Sequence, residues 1–78
     1  MGIRYTASAG RHGISEADAL HVIANAVILE DVADRHGLPA KRFIGPLHAQ
    51  TNRAVEVIAH FDGTDFVIFH AQETGQRL

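Results

Sequence analysis

The sequence predicts a small α+β domain in which an antiparallel sheet of three to four strands packs against one main N-terminal helix. Two observations support this prediction. A capped amphipathic segment follows Ser15, and alternating apolar segments flank Asp62-Gly63, a dipeptide typical of tight β-hairpins. Because the chain has only 78 residues, 46% of them hydrophobic, residues 1–78 are expected to form a single domain.

The first thirteen residues leave two interpretations open. Ile3 and Tyr5 alternate with polar neighbours, which is typical of an edge strand. The small residues of 6–11 instead favour a short helical turn that ends at Gly13.

The clearest element is a helix over roughly 16–28. Ser15 is placed to cap it, and the acidic Glu16 and Asp18 favour the positive end of the helix dipole. Apolar side chains recur at helical spacing along one face, at Ala17, Leu20, Ile23, Ala24 and Val27.

The segment after the helix has mixed signals. Residues 27–29 fit either the end of the helix or a strand, and the polar residues 30–40 are expected to form a connection. Residues 42–47 are predicted to form a strand that either lies at a sheet edge or is bulged or bent at Gly45-Pro46. Proline has no amide hydrogen and cannot donate a hydrogen bond within a central strand. The polar residues 72–78 are expected to form a loose tail.

A two-residue loop at Asp62-Gly63 would fix the register of the hairpin that follows. It pairs Phe61 with Thr64 and Val55 with His70. One face of the hairpin is then nearly all apolar and should carry the helix. The opposite face shows an apolar strip that is either a partner interface or is covered by a terminal segment, and it consists of Ile58, Val67 and Phe69.

Composition excludes several classes of protein. The chain has no cysteine, which rules out disulfides and thiolate metal sites, and it has no apolar run long enough for a transmembrane helix. No signal-peptide pattern begins the chain, so a cytoplasmic location without a membrane partner is expected. The net charge of −2 argues against a strongly basic RNA-binding surface, although it does not exclude a local site.

The six histidines are the main source of candidate chemistry. None has another histidine within the three to five residues typical of zinc-binding pairs, so no metal or other cofactor is expected. RNA cleavage needs only a base, an acid and cations that stabilise the phosphate. The predicted register brings His70 near Arg53 at one end of the sheet, although ordinary strand-end polar residues would give the same pattern. The further candidates are His12 and His48 for proton transfer, and Arg11 and Arg42 for phosphate binding.

Over residues 11–71 the chain resembles the BrnT-type toxins, which are RelE-like ribonucleases of toxin–antitoxin pairs. Four segments in family-like order carry this resemblance: Arg11-His12-Gly13-Ile14-Ser15, Phe43-Ile44-Gly45, Arg53-Ala54-Val55-Glu56-Val57 and Ile68-Phe69-His70-Ala71. The resemblance implies a RelE/BrnT-like fold, RNA cleavage that blocks translation, a cognate antitoxin protein, and catalytic roles for His12 and Arg53. Gln72 stands where the family usually has an arginine, and His70 stands in place of a serine.

Two classes of function therefore remain. The first is a toxin that acts as a metal-independent endoribonuclease. The second is a degenerate toxin or non-catalytic interaction module that binds a partner, or a second copy of itself, through the sheet face of Ile58, Val67 and Phe69. The acidic balance and Gln72 favour the second class, whereas the histidines, the arginines and the segment order favour the first.

Overall fold

The structure, a computed structural model, describes the backbone of residues 2–77 and the side chains of residues 2–75. Its elements form a mostly β architecture with a single α-helix among the described residues. In chain order they are β1 (Gly2–Tyr5), a 3-10 helix (Ala9–His12), α1 (Glu16–Ala24), β2 (Ile28–Ala33), β3 (Pro39–Pro46), β4 (Arg53–Phe61) and β5 (Asp65–Arg77).

The strands form one five-stranded mixed sheet in the order β1-β5-β4-β3-β2. β1 is parallel to β5, and the other neighbours are antiparallel. The predicted antiparallel sheet of three to four strands on a main helix is therefore wrong. The chain between β1 and β5 is long enough for a crossover, so the first residues can add a parallel edge strand.

β2 begins within residues 27–29, for which a helix end and a strand were both open, and continues into the segment that was predicted to be a polar connection. α1 stops at Ala24, and the Val27 amide then donates to the Ile44 carbonyl at 2.8 Å, which starts the pairing with β3. The polar character of β2 is accommodated because it is an edge strand. Its two acidic side chains make cross-strand ion pairs, Glu30 with Arg42 and Asp31 with Lys41.

β3 is an interior strand, so of the alternatives for residues 42–47 (an edge position, a bulge or a bend at Gly45-Pro46) the edge position was wrong. Pro46 is tolerated because the last β2–β3 pair is Ile28 with Ile44, and the proline lies beyond it with β4 as its only neighbour in the sheet. Gly45 lies under the end of α1. A Cβ there would come within 2.8 Å of the Val22 carbonyl oxygen, so only glycine permits this approach of helix and sheet.

The hairpin of β4 and β5 has a different register from the predicted one. Phe61 pairs with Phe66, because the turn has Asp62 as its first residue and not as a central one. Farther along, the register shifts again. Ala59 pairs with Ile68 whereas Ile58 pairs with His70, which leaves Phe69 as the extra residue of a β-bulge.

The core lies between the sheet and the two helices. α1 packs on β3 and β4, and the 3-10 helix packs on β5. Val22, Val55, Val57 and Ile68 are the largest fully buried side chains. Residues 72–77, expected as a loose tail, continue β5, and Leu78 lies outside the described residues. Within residues 2–77, α1 is the only α-helix, and its nine residues are too few to cross a bilayer.

Candidate functional site

The sheet face opposite α1 carries a row of charged and imidazole side chains. Arg42 on β3, Ile58 on β4 and His70 on β5 are cross-strand neighbours. Glu56 joins the two ends of this row: its carboxylate accepts a hydrogen bond from Nε of Arg42 and lies 3.0 Å from Nε2 of His70. The bulge in β5 causes this placement, since the predicted register would have put His70 opposite Val55 on the other face.

His12 reaches the same region from the 3-10 helix. Its ring centroid lies 6.0 Å from that of His70, and the two planes meet at 68°. The helix ends directly after His12 because Gly13 adopts a left-handed conformation, with φ of 81°. The structure thus brings together two of the predicted proton-transfer residues.

Two hydroxyl groups fix the 3-10 helix to the sheet. The Ser8 hydroxyl donates to the Phe69 carbonyl at 3.1 Å, and the Tyr5 hydroxyl donates to the carbonyls of Ala9 and Ile14. Burial raises the pKa of Tyr5, and the negative charges of Glu16 and Asp18 raise it further. The phenol therefore stays protonated at neutral pH and keeps donating.

An open cavity of about 500 Å³ is lined by His70. His12 touches the ring of His70 but is not part of the cavity wall. Ser8 and the apolar side chains of Ala33, Ile58 and Phe69 form part of its wall. The rest of the wall is ionisable: Arg11, Asp34, Arg35, His36, His60 and His70. The cavity therefore combines an apolar, aromatic surface with cationic side chains.

The arginines of the cavity differ from the other basic residues. Arg4, Lys41, Arg42 and Arg53 each make an ion pair with a carboxylate. Among the described side chains, Arg11 and Arg35 have no such carboxylate partner. The charge of these two arginines is therefore available to an anion, even though the chain as a whole is acidic.

Asp34 is the only acid among the described residues of the cavity wall. Its Oδ1 accepts backbone hydrogen bonds from Leu38 at 2.9 Å and from His36 at 2.8 Å. These bonds, with the Leu38 amide as the largest contribution, hold the pKa of Asp34 below its usual value. The carboxylate thus shapes the β2–β3 turn and stays ionised at neutral pH.

Arg42 is less suited to the predicted phosphate contact. It is hydrogen-bonded to Glu56 and Glu30, and these bonds raise the pKa of its guanidinium. An incoming phosphate would have to displace a carboxylate from it. Arg42 and Glu56 also line a smaller cavity of about 300 Å³ beside Gln72, Glu73 and Thr74.

Arg53 and His48 lie away from the histidine pair. Arg53 donates to Glu73 from Nε at 2.9 Å and from Nη2 at 2.6 Å. At about 3.3 Å per residue, it lies about 16 Å along β4 from Ile58, the position opposite His70. His48 is exposed in the loop between β3 and β4. The predicted convergence of Arg53 and His70 is wrong, because the turn and the bulge together move the cross-strand partner of His70 from Val55 to Ile58.

The predicted apolar interface is not a continuous exposed strip. Val67 is only 6% exposed, and Ile58 and Phe69 are half-buried in the cavity wall. The large exposed apolar side chains of the described chain lie elsewhere: Ile3, Val27, Ile28, Leu29, Leu38 and Phe61.

The sequence did not single out Glu56, Arg35 or His36 as site residues. Glu56 is one of the polar residues that alternate with apolar ones in the predicted strand, which is typical of a solvent-facing side chain. Arg35 and His36 lie in the segment that was predicted to be a polar connection. His60 is also in the wall, with its ring 5.2 Å from that of Phe69. Its Nδ1 is buried and has no hydrogen-bond partner among the described residues, so this atom is not a proton-transfer group at the cavity.

Within the described part of the chain, no three His, Asp or Glu side chains are grouped as metal ligands would be.

Comparison with known proteins finds no matching family, no similar curated protein and no similar solved structure.

Proposed function

We propose that this protein is an endoribonuclease of the toxin type that cleaves RNA without a metal ion, with His70 and His12 as its proton-transfer groups. The observation that carries the proposal is the contact of these two imidazole rings, whose centroids are 6.0 Å apart. Arg11, which has no ion-pair partner among the described side chains, lines the same cavity as His70. Two imidazoles at this separation can reach different oxygens of one phosphodiester.

His70 is suited to act as the base. Glu56 accepts the Nε2 hydrogen of the neutral ring, which leaves Nδ1 free to take a proton from a ribose 2′-hydroxyl. The carboxylate also stabilises the imidazolium that forms, as an orienting acid does in a catalytic triad.

His12 in its protonated form is suited to act as the acid. As the 2′-oxygen bonds to phosphorus, the bond from phosphorus to the 5′-oxygen breaks, and His12 gives its proton to that leaving oxygen. The products are a 2′,3′-cyclic phosphate and a 5′-hydroxyl end. Arg11 stabilises the charge that develops on the phosphate, and exchange with solvent returns both histidines to their starting states.

A toxin role implies a cytoplasmic protein that a cognate antitoxin protein holds inactive. The resemblance of residues 11–71 to the BrnT-type toxins supports this part of the proposal. The order of the four family-like segments and the contact of His12 with His70 are compatible with such a role.

Incubation of the purified protein with end-labelled single-stranded RNA in EDTA tests the proposal. We expect cleavage that leaves cyclic phosphate ends and that falls about a hundredfold or more in His12→Ala and His70→Ala. Arg11→Ala should weaken cleavage, whereas the matched variant Arg53→Ala should not. Absence of cleavage by the wild-type protein, or unchanged cleavage in both histidine variants, would overturn it.

A binding module without catalysis is the second candidate, and one observation favours it. Ile3 and Phe61 flank Phe66 in the sheet register and are 50% and 58% exposed, so two large apolar side chains are exposed near one another on the sheet. If this surface joins two copies, Phe61→Asp should halve the mass measured by light scattering. A monomeric wild-type protein would exclude self-association.

A further inference from the structure

The bulge in β5 directs two consecutive residues into the same cavity. In a regular strand, neighbouring side chains point to opposite faces. Here Phe69 is the extra residue between the pairs Ala59–Ile68 and Ile58–His70, and both Phe69 and His70 line the cavity wall. The aromatic ring is therefore fixed next to the histidine assigned as the base.

Phe69 belongs to an apolar half of the cavity. Its ring is tilted by 46° against that of His60, at a centroid distance of 5.2 Å, and Ile58 lines the same wall. The Ser8 hydroxyl donates to the Phe69 carbonyl and fixes the backbone at the bulge. The ring therefore contacts His60 and is only half-buried, which leaves part of it accessible to a flat ligand.

The surrounding charge restricts what that ligand can be. Arg11 and Arg35 line the same cavity without an ion-pair partner among the described side chains, and the wall has only one acid, Asp34. Because the two arginines outnumber this carboxylate, the ligand should carry negative charge next to its flat apolar part. A nucleotide in a single strand has both features, because its base is free to stack and its phosphate is close by. A base inside a duplex is already stacked between its neighbours and cannot reach the ring.

We propose that Phe69, supported by His60, is a nucleobase subsite, and that the substrate is therefore single-stranded RNA with an unpaired base next to the phosphate that is cut. This inference rests on the proposed function, since it assigns the substrate of the same site. Phe69 recognises the base and the histidines perform the chemistry, so the two roles are separable by experiment.

Binding is measured by fluorescence anisotropy with a short labelled RNA in which every 2′-hydroxyl is methylated, so that no phosphodiester can be cut. A second strand lacks the base at one nucleotide, and a third is annealed into a duplex. We expect the wild-type protein to bind the complete single strand about tenfold or more tightly than either of the others. Equal binding of the complete and abasic strands would overturn the proposal, and so would tighter binding of the duplex.

Variants of two phenylalanines assign the effect to one ring. Phe69→Leu should lose the preference for the complete strand, whereas Phe69→Tyr should keep it, because both aromatic rings stack. Phe43→Leu is the matched control, since Phe43 lies on β3 outside the cavity. A preference that survives in Phe69→Leu would overturn the assignment, and a melting curve shows that each variant is folded. If the protein prefers the complete strand to the abasic one but does not cleave RNA, only the proposed function is contradicted. If it cleaves RNA without that preference, only the subsite is contradicted.

Discussion

The carboxylate of Glu56 lies 3.0 Å from Nε2 of His70, on the diagonal between neighbouring strands. A carboxylate only accepts, so a neutral His70 ring must carry its hydrogen on Nε2 and leave Nδ1 as the acceptor. Glu56 also accepts a hydrogen bond from Arg42, which holds the carboxylate in place. Glu56 is therefore a positioning residue that acts through His70.

Replacement of Glu56 by glutamine should allow the neutral His70 ring to carry its hydrogen on either nitrogen. We expect neutral His70 in the wild-type protein to be the Nε2-protonated form in a nitrogen-15 NMR spectrum, and to be a mixture of tautomers in Glu56→Gln. Cleavage of RNA should fall by about tenfold or more in the same variant, because part of the general-base contribution is lost. Glu73→Gln is the control, since Glu73 pairs with Arg53 and has no bond to His70. An unchanged tautomer in Glu56→Gln would show that the carboxylate does not position the ring.

The pH dependence of folding should reflect the two β-hairpin turns. Asp34 and Asp62 each accept two backbone hydrogen bonds within their turn, and these bonds lower the pKa of both carboxyl groups. The unfolded chain, with an ordinary pKa of about 3.9, then binds protons more readily than the folded chain does. The stabilisation is therefore present above about pH 4 and is lost as the pH falls through the lowered pKa values.

Urea unfolding between pH 2 and pH 7 measures this dependence. We expect the free energy of unfolding to rise with pH across the acidic range, and to rise less steeply in the double variant Asp34→Asn/Asp62→Asn. Asparagine keeps the accepting oxygen but does not titrate, which makes it a suitable replacement. An identical slope in the variant would mean that other carboxylates control acid unfolding.

The sequence predicts the local features of this fold better than its long-range ones. The start of α1 is confirmed, because the amide of Asp18 donates to the Ser15 hydroxyl at 3.1 Å as a helix cap requires. The end of the helix was misplaced, because it is decided by the bond between Val27 and the distant Ile44. Helical spacing continues through Val27 in the sequence and cannot reveal this competing partner.

The candidate site was only partly predictable for the same reason. Histidine and arginine side chains identify possible chemistry without a structure, and His12, His70 and Arg11 do lie near one another. Whether Arg53 lies near His70 as well depends on the register of β4 and β5. A bulge at Phe69 leaves no clear signal in an alternating apolar strand, yet it moves His70 to the other face, away from Arg53.

The contact between α1 and the sheet predicts a strict requirement for glycine at position 45. In Gly45→Ala the new Cβ would lie 2.8 Å from the Val22 carbonyl oxygen and 3.1 Å from Cα of Ala26, so the helix must move. We expect a loss of about 1–3 kcal/mol in the free energy of unfolding. Thermal unfolding followed by circular dichroism should show a Tm at least about 4 °C lower.

Gly10→Ala is the matched control for that variant. Its Cβ would meet only Cε2 of Tyr5, at 3.7 Å, which is an ordinary van der Waals distance. Its Tm should therefore stay close to that of the wild-type protein. Equal melting temperatures for Gly45→Ala and Gly10→Ala would show that α1 does not lie as close to β3 as described.

The cap of α1 should make a measurable contribution because the helix has only nine residues. Ser15→Ala removes the oxygen that accepts from the Asp18 amide, and we expect it to cost about 1 kcal/mol. For a domain of this size the Tm should fall by about 4–8 °C. Ser15→Asn supplies another accepting oxygen and should recover most of the loss. If Ser15→Ala and Ser15→Asn have the same Tm, an accepting oxygen at position 15 does not stabilise the helix. If Ser15→Ala melts like the wild-type protein, packing of α1 on β3 and β4 alone determines the stability of the helix.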